Sequence, residues 1–441
     1  MKYGYLELGR LMFGNNGIEF HAYQGLTKHG PYSQPKDEYE EISILYPANY
    51  EDLANKLKDV LENGLKPAFK YGFNNIFKTQ VSINKYKIKQ TNDYIELPEA
   101  LYEEFSKNGR SNRFPLILLE KTPKSTDSLY FRTKEIFLTK NIITQIITDE
   151  IVEDIDRLTW SIFPLSLQIY AKMGGIPYIL YEPLGSNLNI KTILLGIGLS
   201  KNRMNQYIGF ALLFGEQGEW KILKTNAITI NNNEELKSQL SKMFRQIIDN
   251  SIVEIKQRYY RSTQHPIHIV IHYSGKQISK EEEERIKEAI NNNNEYATII
   301  RIKESDYIVR NEDSICIING SKTYMPMVGS YLEIEENYYL LFTTGCIQLK
   351  SERFRLTSKK PRPIILTFTP INYQLDHKYR KFLLNSVFYM CRMNYSSINN
   401  PVNKFPITIK YAQEIAYMLS KISRNNYINY ANIIQNSLWF I

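Results

Sequence analysis

The chain has 441 residues, a formal net charge of +9, 43% apolar residues and three cysteines. This length supports two or three domains with real cores, and the composition excludes a long disordered tail. The positive excess favours an anionic partner but is modest for the length, so alone it argues only weakly for nucleic acid.

The start, MKYGYLELGRLMF, lacks a charged leader followed by a long apolar core, so no signal peptide is expected. No apolar run reaches membrane-spanning length, and the candidate ATIIRI is strand-sized. Cys316, Cys346 and Cys391 lie far apart without metal-ligand spacing and read as inert core residues of a reducing compartment. A cytoplasmic protein without membrane insertion is the expectation.

From about Glu41 to Tyr178 strands alternate with helices: EISILYP, the helical NYEDLANKLKDVLENG, PLILLEK, a helix around Tyr130, NIITQIIT, and a longer helix. That last helix has apolar residues at Leu158, Ile162, Leu165 and Ile169, with Gly174-Gly175 as its stop. Such alternation predicts a parallel sheet with helices on its faces and ligands at the carboxyl ends of its strands. After EPLGSN the pattern changes to TILLGIGLS, QYIGFALLF and EWKILKTNAITI, joined by connections short enough for antiparallel hairpins. A helix, the strand IHIVIHY, a second helix and the strand ATIIRI follow, the order of a ribonuclease H-like domain. The final third adds YYLLFTT, PIILTFTPI, a helix from about His377 to Met393 and a last helix beginning near Lys410. The reading is α/β: a Rossmann-like domain over residues 1–182, then a ribonuclease H-like domain over 183–441.

Four polar residues interrupt the first domain's apolar pattern: Tyr130, Lys134, Gln145 and Lys172. Tyr130 and Lys134 are four apart, so a helix stacks them on one face. A Tyr-Lys pair of this kind is ordinarily a solvated surface. Joined by the amide of Gln145 and the ammonium of Lys172, it becomes a pocket suited to a terminal phosphate.

The order of motifs resembles the MID-PIWI half of a prokaryotic Argonaute of the short or truncated kind. GLTKHGPY from Gly25, YGFNNIF from Tyr71, the Tyr130-Lys134-Gln145-Lys172 spacing, IHIVIHYSGK and FPITIKYAQEIAYML carry the likeness. The resemblance implies that Tyr130 meets the first nucleotide of a guide strand while Lys134 and Lys172 hold its 5′-phosphate. It implies that Gln145 contacts the phosphate or a divalent cation, Mg2+ being the expected one. The carboxylate of Ile441 would join that cation, and Lys410 would contact the guide phosphate.

A slicing PIWI domain cuts with metal ions held by clustered carboxylates. The resemblance places three such positions at Gly198, Ser274 and Gln413, none of them acidic. The run Glu281 to Glu284 reads as a solvated helix face, as do Glu234 and Glu235 as helix-start acids. His265, His268 and His272 lack an acidic partner and read as core or surface residues. The resemblance thus implies a non-cutting protein that binds a 5′-phosphorylated guide, RNA by family habit, and a complementary target, DNA by the same habit. A separately encoded effector would complete a prokaryotic defence system of the abortive-infection type. The alternative is an active, guided, metal-dependent nuclease with relocated carboxylates, and a third reading is a scaffold that has lost guide binding.

Overall fold

The computed structural model describes residues 2–35, 39–88, 95–107, 112–122, 128–201, 207–222, 266–275, 296–313, 315–348, 354–358, 361–395 and 403–421, with isolated positions between them. These form two compact units, one built mainly on Leu11–Ile179 and the other on Leu180–Asn394 with Met1–Arg10 and Asn400–Tyr417.

The first unit holds a four-stranded parallel sheet in the order Ser82–Lys87, Glu41–Tyr46, Arg113–Leu119, Gln145–Thr148. In chain order this is 2-1-3-4, a doubly wound arrangement. The two central strands are buried along their whole length, which is why ISILY and LILL read as unbroken apolar runs. Helices Glu51–Asn63, Leu129–Thr139 and Ile155–Lys172 supply apolar faces. In the last of these Leu158, Ile162, Leu165 and Ile169 are all buried. Asp154 caps its start, accepting from the backbone N–H groups of Asp156 and Arg157 at 3.0 and 3.1 Å. Gly174, at φ +90°, turns the chain out of it in a conformation that disfavours any residue with a Cβ.

A polar network is sealed at the start of the two central strands. Arg113 Nε donates to Glu41 Oε1 at 3.0 Å and to Ser43 Oγ at 2.9 Å, and both charged side chains are almost wholly inaccessible. The guanidinium lies 4.4 Å from the Tyr86 ring and 4.9 Å from that of Phe105, and Nη1 donates to the Phe105 carbonyl. Burial acts to raise the Glu41 carboxyl, but hydrogen bonds from Ser43, Asn84, Tyr86 and Arg113 outweigh it and hold the group below its ordinary range.

The second unit carries a nine-stranded sheet. Its order is Lys2–Tyr5, Ser330–Glu335, Tyr338–Leu341, Ile364–Ile371, Tyr296–Glu304, Ile267–Tyr273, Lys191–Lys201, Tyr207–Phe214, Trp220–Ile222. Lys191–Lys201 pairs antiparallel with Tyr207–Phe214 and parallel with Ile267–Tyr273, which in turn runs parallel to Tyr296–Glu304. Three antiparallel strands followed by two parallel ones make the ribonuclease H-like arrangement. Lys2–Tyr5, read from sequence with the first domain, instead forms an edge of this sheet against Ser330–Glu335. Within 223–265 and 276–295 only isolated positions are described, so the expected helices there, with His265, Glu234 and Glu235, lie outside the described residues.

The cysteines differ from expectation. Cys316 and Cys346 form a disulfide, with Cα atoms 6.1 Å apart, and only Cys391 is a free, buried thiol. The hairpin Ile317–Ile318/Ser321–Lys322 returns the chain beside the strand Cys346–Gln348, a proximity that 30 residues of separation hide in the sequence. Among the described residues no helix is long and apolar enough to cross a membrane.

Removing one partner of a buried ion pair strands the other charge. Arg113→Met should therefore destabilise the first unit by about 3 to 5 kcal/mol, and Glu41→Gln added to it should recover a large part. Urea unfolding followed by hydrogen exchange on the Glu41–Tyr46 and Arg113–Leu119 strands reads both effects.

Candidate anion-binding site and the Gly198 contact

Lys134 lies in the middle of helix Leu129–Thr139, and Lys172 ends helix Ile155–Lys172. Each leaves only 1% of its surface exposed. Between them the chain reaches the first residue of the edge strand Gln145–Thr148, and there the two side chains converge. Lys134 Nζ donates to the Thr144 carbonyl oxygen at 2.5 Å, and Lys172 Nζ donates to the same oxygen at 3.0 Å. Lys172 Nζ also donates to Gln145 Oε1 at 2.6 Å, while Gln145 Nε2 turns back to the Ile146 carbonyl. Two ammonium groups thus share one carbonyl oxygen, with a second neutral oxygen beside it.

Burial works against the charged form of an amine, and it pushes the Lys134 ammonium well below the usual lysine range. Like charges brought this close repel as well. A dianion placed between them would reverse both terms. Chemically, the cluster is an anion cradle with a neighbouring amide oxygen able to join a hard cation.

Three of the residues picked from sequence are therefore brought together. Tyr130, one turn before Lys134, is half-buried, its ring edge-on to Phe131 at 5.2 Å and packed beside the apolar cluster of Leu45, Leu97, Ile117 and Phe137. Lys410 belongs to the second unit, on helix Ile407–Lys421, 3.7 Å from Glu414. Ile441 lies outside the described residues. The cradle sits at the amino end of its strand, not at the carboxyl end expected for such sheets. Thr144, whose carbonyl organises it, was not legible because a backbone oxygen leaves no trace in residue type.

In the second unit, Gly198, Ser274 and Gln413 also meet. Gln413 Nε2 donates to Ser274 Oγ at 2.8 Å. A Cβ on Gly198 would lie 2.2 Å from the Ala412 carbonyl carbon and 2.4 Å from the Gln413 backbone nitrogen. Gly196 is as tight, its Cβ falling 2.0 Å from the Thr408 oxygen. The G-I-G sequence in this strand is what lets helix Ile407–Lys421 press its backbone against the sheet. None of the three side chains is ionisable, and no group of three or more His, Cys, Asp or Glu among the described residues is arranged to hold a metal. Glu283 pairs with Lys287 at 3.0 Å, while Glu281 and Glu282 lie outside the described residues.

His268 and His272 are completely buried on one face of the strand Ile267–Tyr273. His268 Nε2 bonds Thr298 Oγ1 at 2.9 Å within a wall of rings that includes Tyr373 and Phe382. His272 Nδ1 bonds Thr408 Oγ1 at 2.7 Å. Burial pushes both imidazoles down to about 3. They are neutral core residues, one of the two roles, core or surface, that the sequence left open.

Comparison with known proteins follows the same lines. The Piwi domain family matches residues 116–315. A "Piwi protein" of Archaeoglobus fulgidus is 20% identical over 415 residues, covering 91% of this chain and 88% of that protein. Among solved structures, Clostridium butyricum Argonaute bound to a guide DNA and a 19-mer target DNA superposes with a TM-score of 0.70 at 20% identity. It covers 100% of this chain and 55% of its own. Drosophila Piwi gives 0.66 at 13% identity, with 100% and 56% covered. The chain spans just over half the length of those two structures, and at these identities the likeness is one of fold.

A buried histidine whose native pKa lies below its unfolded value takes up its proton only in the unfolded chain as pH falls. Stability is therefore complete above about 6.5 and is lost as pH drops from there toward about 3. Histidine-selective NMR should find both rings neutral through pH 5. A resonance titrating near 6.5 at either position would contradict the burial described.

Proposed function

We propose that this Argonaute-like protein holds the 5′-phosphate of a short guide strand in the Lys134–Gln145–Lys172 cradle and pairs that guide with a complementary target. The observation that carries the reading is the convergence of two buried ammonium groups on the Thr144 oxygen. A terminal phosphate dianion fits that charge, and a continuous strand offers no such end. The fold relative from Clostridium butyricum is bound to both a guide and a target DNA, which supports the same division of labour here.

Tyr130, half-buried one turn from Lys134, is the candidate to meet the first nucleotide. Lys410 and the Ile441 carboxylate are proposed as further contributors. Gln145 Oε1 is a donor suited to a hard cation such as Mg2+, which needs few protein ligands because water and phosphate oxygens complete its shell. Two flanking ammonium groups oppose that cation until a phosphate neutralises them. Phosphate and cation are thus expected to bind together.

We further propose that the protein recognises its target without cutting it. Support comes from the non-acidic side chains of Gly198, Ser274 and Gln413 and from the helix backbone that fills the space beside Gly198. A guide-binding protein without cleavage chemistry acts through another molecule. A prokaryotic defence role with a separately encoded effector, abortive in outcome, is the corresponding proposal.

Lys134→Ala with Lys172→Ala should weaken binding of a 5′-phosphorylated oligonucleotide at least about 100-fold, since each charge-assisted bond contributes about 1.5–3 kcal/mol. The preference over a 5′-hydroxyl end should vanish, and unchanged affinity would mean that the cradle is not the guide site. In the native protein Lys134 must be protonated to bind, so affinity should fall as pH rises through about 8. Fluorescence anisotropy across pH 6.5 to 9.5 measures this, and chelation by EDTA should weaken only the phosphorylated strand.

With guide, complementary target and manganese, no target cleavage is expected over hours. Efficient cutting that a single Asp or Glu substitution abolishes would instead establish the guided nuclease with relocated carboxylates.

A further inference from the structure

The second unit contains a cavity of about 320 Å³ between the Glu182–Leu188 turn and helix His377–Met390. Lys378, Lys381, Asn385 and Tyr389 line it, at steps of three and four residues that place them along one helix face. Phe382, buried, forms part of the same wall, and His377 stands at the helix start. The neighbouring cation Arg380 is bound to Glu333 and Glu336 at 3.1 and 3.2 Å. Lys378 and Lys381, by contrast, form no ion pair among the described residues and are exposed. The one carboxylate on the opposite wall, Glu182, is occupied by Arg10 at 2.8 Å.

The cavity therefore presents two uncompensated ammonium groups, two aromatic rings and a carboxamide. Ammonium groups bind phosphate as point charges, rings stack a base, and a carboxamide reads a base edge with a donor and an acceptor. The volume falls at the lower end of the range for small-ligand sites, about 300 to 1,000 Å³. We propose that this cavity binds a nucleoside monophosphate unit, its phosphate on Lys378 and Lys381 and its base against Phe382 and Tyr389. The unit comes either from a free nucleotide or from an unpaired nucleotide of a bound strand. The site is separate from the Lys134–Lys172 cradle, which belongs to the other unit.

Photolabelling of the full chain with 8-azidoadenosine 5′-monophosphate, followed by peptide mass spectrometry, tests this. Adducts should fall within residues 377–389, and 8-azidoadenosine lacking the phosphate should label them far less. Lys378→Ala with Lys381→Ala, both surface side chains, should reduce that labelling about tenfold or more. Lys134→Ala with Lys172→Ala should leave it intact. A parallel arm uses an oligonucleotide carrying one 8-azidoadenosine. Labelling by the oligonucleotide but not the monophosphate identifies a strand nucleotide, and labelling by the monophosphate identifies a free one. No adduct within 377–389 from either probe, or adducts indifferent to the two lysines, overturns the proposal.

Discussion

Two ammonium groups meeting at one carbonyl oxygen, away from water, set the physical terms of the first unit. Moving an ammonium ion out of water costs several kcal/mol even after the surroundings relax. The apolar strands and helices around the cradle must supply enough burial to offset that. Glu41 and Arg113, elsewhere on the same sheet, show the contrasting solution, in which opposite charges are sealed against each other and bonded by neighbouring hydroxyl, amide and carbonyl groups. Arg113 Nη2, in a guanidinium set against the Tyr86 and Phe105 rings, has no hydrogen bond among the described residues. One charged cluster is internally neutral and serves the fold. The other carries a positive excess that an external dianion would neutralise, so its stability and its occupancy are coupled through the same energy.

The second unit, whose buried side chains include Arg392, keeps its two fully buried histidines neutral. His268 and His272 face hydroxyl partners, and burial removes their protons. Ser274 and Gln413 satisfy each other with an ordinary uncharged hydrogen bond. Such a site needs no counter-ion to hold together, whereas a carboxylate cluster in the same place would repel itself until metal bound.

The parallel sheet of the first unit was legible because strands buried on both faces write continuous apolar runs into the sequence. The longer helix was legible too, through Leu158, Ile162, Leu165 and Ile169 and the glycine stop. Lys134, Gln145 and Lys172 were found by spacing and by family likeness. What the sequence withheld was non-local. Nothing in KYGY tells that Lys2–Tyr5 adds to a sheet whose next strand begins at Ser330. The Cys316–Cys346 bond depends on a hairpin that returns the chain to the Cys346 strand. The cavity wall at Lys378, Lys381, Asn385 and Tyr389 was legible only in part. KYRKF reads as basic residues interleaved with aromatics, which suits phosphate and base contact and an exposed helix face equally, and Asn385 and Tyr389 add nothing that separates the two.

The glycines at 196 and 198 make change in this chain asymmetric. An ordinary carbon–carbon contact is about 3.5 Å, so any side chain at position 198 requires strand and helix to part by more than an ångström. Ser274 and Gln413 stand at the edge of the contact and admit new side chains one at a time. Position 198 admits none without a shift of the whole helix. Two of the three positions can therefore change by single substitutions, while the third acts as a latch: a carboxylate fits there only after the helix backbone has first moved.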